Sequence, residues 1–210
     1  MGLRIPIMDF IESSIKQVFG ENTKGLRMLE LGDQVVKIPK MTGKEYFTAH
    51  GYKHTSVDIN GLHGALVRDL TKPEQFEEWH GLYDIITNAG TAEHVEPFES
   101  QYECFNIIHD CLKVGSVAIH ILPDVHEHDD KGAWVGHCHF YYSHSFFKIL
   151  AEECGYVLLS SELIRSMRCV AMKKIIDVPF MEDRSQFLST IARRFAWLVV
   201  EDKKEPNAKD

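Results

Sequence analysis

The sequence contains no Cys-x-x-Cys pair, no internal repeat and no low-complexity tract. No apolar run in it approaches the ~20 residues that a membrane-spanning helix needs, so no membrane partner is expected. Its five cysteines (Cys104, Cys111, Cys138, Cys154 and Cys169) are odd in number and sit in apolar or helical surroundings. That pattern predicts reduced, mostly buried thiols rather than a disulfide framework. Positive charge is scarce: 23 Lys and Arg stand against 31 Asp and Glu, a formal net charge of −8. A surface built to coat phosphates needs the opposite balance, so nucleic acid is excluded as the expected partner. The opening Met-Gly-Leu-Arg-Ile-Pro has neither the apolar core nor the cleavage site of a secretion signal. Pro6 also stands where a myristoylation pattern wants Ser or Thr. The expectation is a soluble, cytoplasmic protein.

What is present is an ordinary globular composition, 44% hydrophobic and 26% charged over 210 residues, enough for one well-buried core. A single domain is expected over 1–210, with an N-terminal helix in 1–24, a core in 25–176, a C-terminal helix in 177–200 and a polar tail in 201–210. Ile7, Phe10, Ile11, Ile15, Val18 and Phe19 fall at helical spacing before Gly20. Strands are expected at Leu26–Leu31, Lys53–Ile59, Ala65–Asp69, Tyr83–Thr87 and Ser116–Leu122. Between them, helices are expected in Met41–Gly51 (capped by Thr42), Lys72–His80 and Phe98–Cys111. Asp124–His144 has no clear period and reads as a loop. A helix follows at Ser145–Cys154, then a hairpin of Tyr156–Ile164 and Met167–Lys174. A last amphipathic helix is expected over Phe187–Leu198. Alternating strands and helices imply a mostly parallel sheet covered on both faces, to which the hairpin adds an antiparallel strand.

Carboxylates and small polar residues recur where these strands end: Glu30 and Gly32, then Asp58, then Asp69, then the Asn88–His94 segment. In a doubly wound sheet such ends converge on one crevice. An acid after the second strand suits a ribose diol, and an acid after the third suits an adenine amino group. The set fits an adenosine-containing ligand.

Between Leu26 and Lys174 the chain resembles the class I S-adenosylmethionine-dependent methyltransferases. Leu-Glu-Leu-Gly (29–32) resembles the first motif of that family, Thr-Ser-Val-Asp (55–58) its second and Arg-Asp-Leu (68–70) its third. Tyr-Asp-Ile-Ile-Thr-Asn-Ala-Gly-Thr-Ala-Glu-His-Val (83–95) resembles the fourth strand and its continuation. Leu-Lys-Val-Gly-Ser (112–116) is similar to the turn before strand five, and Leu-Ala-Glu-Glu-Cys-Gly-Tyr (150–156) to the approach to the final hairpin. The resemblance implies a three-layer, Rossmann-like methyltransferase fold with a seven-stranded sheet in the order 3-2-1-4-5-7-6. It implies S-adenosylmethionine as cofactor, with Asp58 on the ribose hydroxyls, Asp69 on the adenine amine, and Glu30, Gly32 and Asn88 near the methionyl part. Asp33, Asn60 and Leu70, which adjoin these motif residues, complete the expected cofactor set.

The sequence departs from the family at one point. The pattern Glu/Asp-x-Gly-x-Gly-x-Gly keeps only Gly32, followed by Asp33-Gln34-Val35-Val36. A β-branched pair cannot replace glycine backbone, so side-chain contacts from Asp33 and Gln34 are expected instead. Pro39 interrupts the helix the family places next. This departure motivates one alternative, a non-catalytic S-adenosylmethionine-binding module that regulates or scaffolds a partner. It also counts against a nicotinamide-dependent oxidoreductase, whose pyrophosphate needs the missing glycines.

His94 follows the fourth strand and is the candidate base, because a neutral imidazole can take a proton from an attacking hydroxyl or amine. Its bland alternative is a histidine that starts the next helix and hydrogen-bonds backbone. His120, His126, His128, His137, His139 and His144 crowd one stretch. His126-x-His128 and His137-x-His139 could chelate, but no third ligand has diagnostic spacing and no metal is expected. His137, His139 and Tyr142 are the candidate substrate contacts, with Trp134, Phe140 and Tyr141 interleaved as a lid or an anchor. The expected reaction is methyl transfer to an oxygen or nitrogen of a small molecule or sugar. Residues 88–91, Asn-Ala-Gly-Thr, lack the Asn/Asp-Pro-Pro-aromatic motif of amino methylases that act on DNA bases.

Overall fold

A computed structural model of the chain describes residues 2–125 and 138–193. Its centre is β1 (Arg27–Leu31), which is buried from Met28 onward because both faces of the sheet are covered. Beside it run β4 (Lys53–Asp58) and the short edge strand β5 (Leu66–Val67) on one side. On the other side lie β6 (Tyr83–Ala89) and β7 (Leu112–Pro123). These five are parallel. The hairpin of β9 (Tyr156–Ile164) and β10 (Met167–Lys174) then adds β10 antiparallel to β7. The resulting order, β5-β4-β1-β6-β7-β10-β9, is the expected 3-2-1-4-5-7-6.

Alternation along the strands divides the core into two layers. Leu29 and Leu31 face a cluster built with α3 (Ser100–Cys111), α4 (His144–Glu153) and α5 (Arg184–Ser189). Met28 faces the other layer, made by α1 (Ile5–Phe19) and α2 (Gly43–Ala49). Pro6 lies in the first turn of α1 and Gly20, at φ 66°, ends it. Thr42 and Glu45 form a reciprocal capping box that starts α2 where the sequence places it. Among the described residues no helix is long and apolar enough to cross a membrane.

Several elements differ from expectation. The 72–80 segment is not an α-helix but two 3₁₀ turns, Pro73–Gln75 and Glu77–Trp79. Within this segment the Gln75 carbonyl accepts from Arg68 Nη1 at 2.5 Å and its side-chain oxygen accepts from Asp69 N at 2.9 Å, which ties the turns to the end of β5. Residues 35–42 form a hairpin of β2 (Val35–Lys37) and β3 (Lys40–Thr42), paired Val36 to Met41, where the sequence suggested no regular element before Met41. The expected helix over Phe187–Leu198 is shorter and earlier. Thr190 Oγ1 caps the carbonyl of Phe187 at 2.6 Å, and Ala192–Arg193 (β11) leave to pair with Phe140–Tyr141 (β8). Residues 194–198 lie outside the described set, as do 126–137 of the expected 124–144 loop.

Candidate functional site

The carboxyl ends of β1, β4, β5 and β6 enclose a cleft of about 460 Å³, within the range of small-ligand sites. Gly32, Asp33, Asp58, Asp69, Leu70 and His94, all expected at a site, line it. Glu30, Asn60 and Asn88 do not, and each has a structural contact instead.

Gly32 is required twice. Its φ of +84° is a left-handed conformation, and a Cβ built there would lie 2.3 Å from Thr91 Oγ1. Thr91 is fixed in turn by donating to the Leu31 carbonyl at 2.8 Å. Glu30 stands behind this turn, 2% exposed. Its Oε1 accepts from Gln34 N at 3.1 Å and its Oε2 is 3.6 Å from His54 Nε2. Space for the carboxylate exists because residue 43 is glycine: a Cβ there would be 2.3 Å from Glu30 Oε2. Glu30 therefore shapes the loop that lines the cleft.

Asp58 lines the next wall and accepts from Asn60 N through Oδ1 at 3.0 Å, an Asx turn that starts the reversal after β4. Asn60 turns its own Oδ1 to Leu62 N at 2.7 Å, away from the cleft. Asp69 accepts from the backbone and hydroxyl of Thr71 at 2.9 and 2.8 Å. The Thr71 N–H, with the neighbouring Lys72 ammonium 3.6 Å from Oδ2, holds this carboxyl below its usual range. Arg68, the sequence neighbour suited to pair with Asp69, instead pairs with Glu78 at 2.8 Å and lies over the Trp79 ring. Asp33, on the cleft wall, is paired with His63 Nδ1 at 2.5 Å.

On the β6 side, Asn88 is buried and spans two strands. Its Oδ1 accepts from Ala92 N at 3.1 Å, and Nδ2 is 3.3 Å from Nδ1 of His120, its neighbour on β7. Burial between Phe105 and Phe147 lowers the His120 imidazole to about 3, so it is a neutral core residue. The turn Ala92–His94 then separates two acid–base groups. His94 reaches the cleft with 42% of its side chain exposed, while Glu93 points inward, its Oε1 3.9 Å from His94 Nε2. Burial raises the Glu93 carboxyl to about 8, and its Oε2 has no partner among the described residues.

Of the expected substrate contacts, His139 pairs with Glu96, a cleft-lining residue, and donates its backbone N–H to the Glu93 carbonyl at 3.3 Å. Tyr142 is a correction: it is fully buried against Phe105 and Phe146, and its hydroxyl donates to Gln101 Oε1 at 2.5 Å. The reason is packing, since Phe105 of α3, Phe146 and Phe147 of α4 and Phe187 of α5 share the core cluster that contains Tyr142. His137, Trp134, His126 and His128 lie outside the described residues. Thr91 and Glu96 line the cleft without having been singled out for it. Thr91 was legible only as the residue after Asn88-Ala89-Gly90, a turn signal with no chemistry of its own.

No protein-family model matches the chain, and no curated protein matches it. Solved structures do. One is the 1,6-didemethyltoxoflavin-N1-methyltransferase of Burkholderia thailandensis with bound 1,6-didemethyltoxoflavin and S-adenosylhomocysteine, 10% identical over 80% of this chain and 79% of that one, with a TM-score of 0.53. A SAM-dependent methyltransferase from Methanosarcina mazei is 8% identical over 84% and 100% of the two chains, at 0.56. A third, from Listeria monocytogenes, described as a putative S-adenosylmethionine-dependent methyltransferase, is 10% identical over 80% and 98%, at 0.55. At such identities the likeness is one of architecture, and in architecture this chain has the class I S-adenosylmethionine-dependent methyltransferase fold.

Proposed function

We propose that the protein transfers a methyl group from S-adenosylmethionine to an oxygen or nitrogen of a small molecule or sugar, in the cytoplasm. The observation that carries this reading is the placement of Gly32, Asp58 and Asp69 on successive walls of one cleft at the carboxyl edge of the parallel sheet. The residues suit the donor. Asp58 engages one oxygen in its Asx turn and keeps Oδ2 for a ribose hydroxyl. Asp69 is held ionised as an acceptor for an exocyclic amine. Gly32 leaves the wall bare where any side chain would strike Thr91.

When bound, the donor supplies a methyl group on a positively charged sulfur. Held against Gly32, Asp58 and Asp69, it would offer that methyl carbon to an acceptor lone pair, with the carbon–sulfur bonding pair left on sulfur. The acceptor proton then needs a base, and His94 is the titratable side chain of the cleft wall suited to take it. Glu93, its carboxyl raised to about 8 by burial, stands behind it with Oε1 3.9 Å from His94 Nε2. Positioning in the cleft does the rest of the work. The toxoflavin N-methyltransferase among the similar structures supports a small-molecule acceptor.

Calorimetry with S-adenosylmethionine and S-adenosylhomocysteine tests the reading, followed by an acceptor panel. Binding of both, with turnover on at least one acceptor, is expected. No binding of either at millimolar concentration refutes it. Binding without turnover on any acceptor shifts the assignment to a non-catalytic regulatory module, the reading that the glycine-poor loop favours.

A further inference from the structure

The segment between β4 and β5 is bent harder than a plain connection requires. Three of the four residues from Gly61 to Gly64 have left-handed backbone: Gly61 at φ +63°, His63 at +49° and Gly64 at +80°. Glycine adopts that region freely, whereas a histidine there is uncommon and strained. A Cβ on Gly61 would also lie 2.7 Å from Val67 Cγ2, so the turn is packed onto β5. Strain of this kind persists only where surrounding contacts over-determine the conformation.

Those contacts tie the segment across the fold. Asn60 Oδ1 accepts from Leu62 N at 2.7 Å, and Ala65 N donates to the Leu62 carbonyl at 2.9 Å. Lys44 of α2 donates Nζ to the Gly64 carbonyl at 2.9 Å. His63 turns back to the loop after β1, its Nδ1 2.5 Å from Asp33 Oδ2. A neutral ring makes a hydrogen bond to that carboxylate, and a protonated ring makes an ion pair. The ring is also within electrostatic reach of Glu45, which Thr42 first and His63 last hold below the usual carboxylate range.

The place of this bridge gives it a use. β1 and β4 are paired neighbours, Leu31 to Val57, and Gly32 N donates to the Val57 carbonyl at 2.8 Å. The bridge therefore joins the two loops that leave these strands. One carries Gly32 and Asp33, the other Asp58 and Ile59, and all four residues line the cleft. Asp33 has little surface to offer a ligand there: its side chain is 8% exposed and Oδ2 is taken by His63.

We propose that His63 is a positioning residue that latches the 59–64 segment to Asp33 and so fixes the Gly32 and Asp58 walls relative to each other. Asp33 acts through His63 rather than on the ligand. The consequence for binding rests on the adenosyl reading above, because a ligand that spans both walls meets them already ordered. The latch itself is a property of the free chain.

The test measures S-adenosylhomocysteine affinity by calorimetry on the full chain, on Asp33→Asn, on His63→Asn and on the double variant. Asparagine tolerates left-handed backbone, so His63→Asn removes the imidazole without forbidding the turn. Hydrogen exchange of the 59–67 amides reads the latch with no ligand present. Each variant is expected to lose about five-fold or more in affinity, the double variant no more than either single one. Exchange of 59–67 should quicken in all three, while the melting temperature holds. Losses that add in the double variant mean that Asp33 touches the ligand itself. Unchanged affinity in His63→Asn means that the tie is structural only, and unchanged exchange means that there is no latch. Each of these three results overturns the proposal. A wild-type chain that does not bind S-adenosylhomocysteine overturns the adenosyl reading instead, and the latch then stands or falls on the exchange measurement.

Discussion

Replacing Glu93 by glutamine is expected to stabilise the protein in a strictly pH-dependent way. Burial raises the Glu93 carboxyl from an ordinary 4.5 to about 8. Between those values the unfolded chain releases a proton that the folded chain keeps, so stability falls as pH rises across that window. At ~1.36 kcal/mol per pH unit the loss has a ceiling of about 5 kcal/mol, complete above pH 8. Relaxation of the site and entry of water keep the measured value below that ceiling. His120 acts with the opposite sign: its imidazole is lowered from 6.5 to about 3, so stability is present above 6.5 and is lost as pH falls towards 3. Between 4.5 and 6.5 the two slopes oppose each other. In Glu93→Gln the new amide keeps the shape of a protonated carboxyl and cannot ionise, so the variant loses the Glu93 slope and keeps those of His120 and the other shifted groups, Asp69 and His109 among them. Urea unfolding near pH 4, 7 and 9 reads the difference. Wild type and variant should match near pH 4, and the variant should be more stable by about 2 kcal/mol or more near pH 9, since burying an unpaired charge costs at least that. A stability difference that does not change with pH would refute the assignment of Glu93 as a buried acid.

Three other substitutions probe the cleft and its support. Asp58→Ala should weaken S-adenosylhomocysteine binding about ten-fold or more with little change in melting temperature, since a charge-assisted hydrogen bond is lost at a half-exposed strand end; unchanged calorimetric affinity would remove Asp58 from the site. Gly32→Ala combines a left-handed φ with a Cβ 2.3 Å from Thr91 Oγ1, and denaturant titration should show a loss of about 2 kcal/mol or more. Tyr142→Phe leaves Gln101 Oε1 without its buried donor; a loss of about 1–3 kcal/mol is expected, with ligand affinity intact because Tyr142 is not on the cleft.

The sheet was legible because its central strands are apolar runs or alternating segments that end on a punctuating residue: Gly32, Asp58 before Asn60-Gly61, and Asn88 before Gly90. The β2–β3 hairpin was not, because three-residue strands around Ile38-Pro39 carry too little period to register against the helix that usually follows. Tyr142 was misplaced for a different reason. Its neighbours in sequence are histidines and aromatics that could equally line a rim, and only the closing of α3, α4 and α5 over that segment decides for the core. Arg68 adjoins Asp69 in sequence, yet its guanidinium bonds the Gln75 carbonyl and Glu78 and lies over the Trp79 face instead. Local charge pairing read from adjacency fails where a long side chain can choose.

The carboxylate of Glu30 joins three pieces of the fold at one point: the loop through Gln34 N, the start of α2 through the missing side chain of Gly43, and β4 through His54. The cleft floor is therefore not a modular loop. Grafting a glycine-rich segment over residues 32–42 would alter the chain that covers a buried acid, while Gly43 and His54, which shape the space around that acid, lie outside the graft. A transplant that succeeds in restoring the family pattern would have to change those two positions as well, so the unusual loop, Gly43 and His54 form one structural unit.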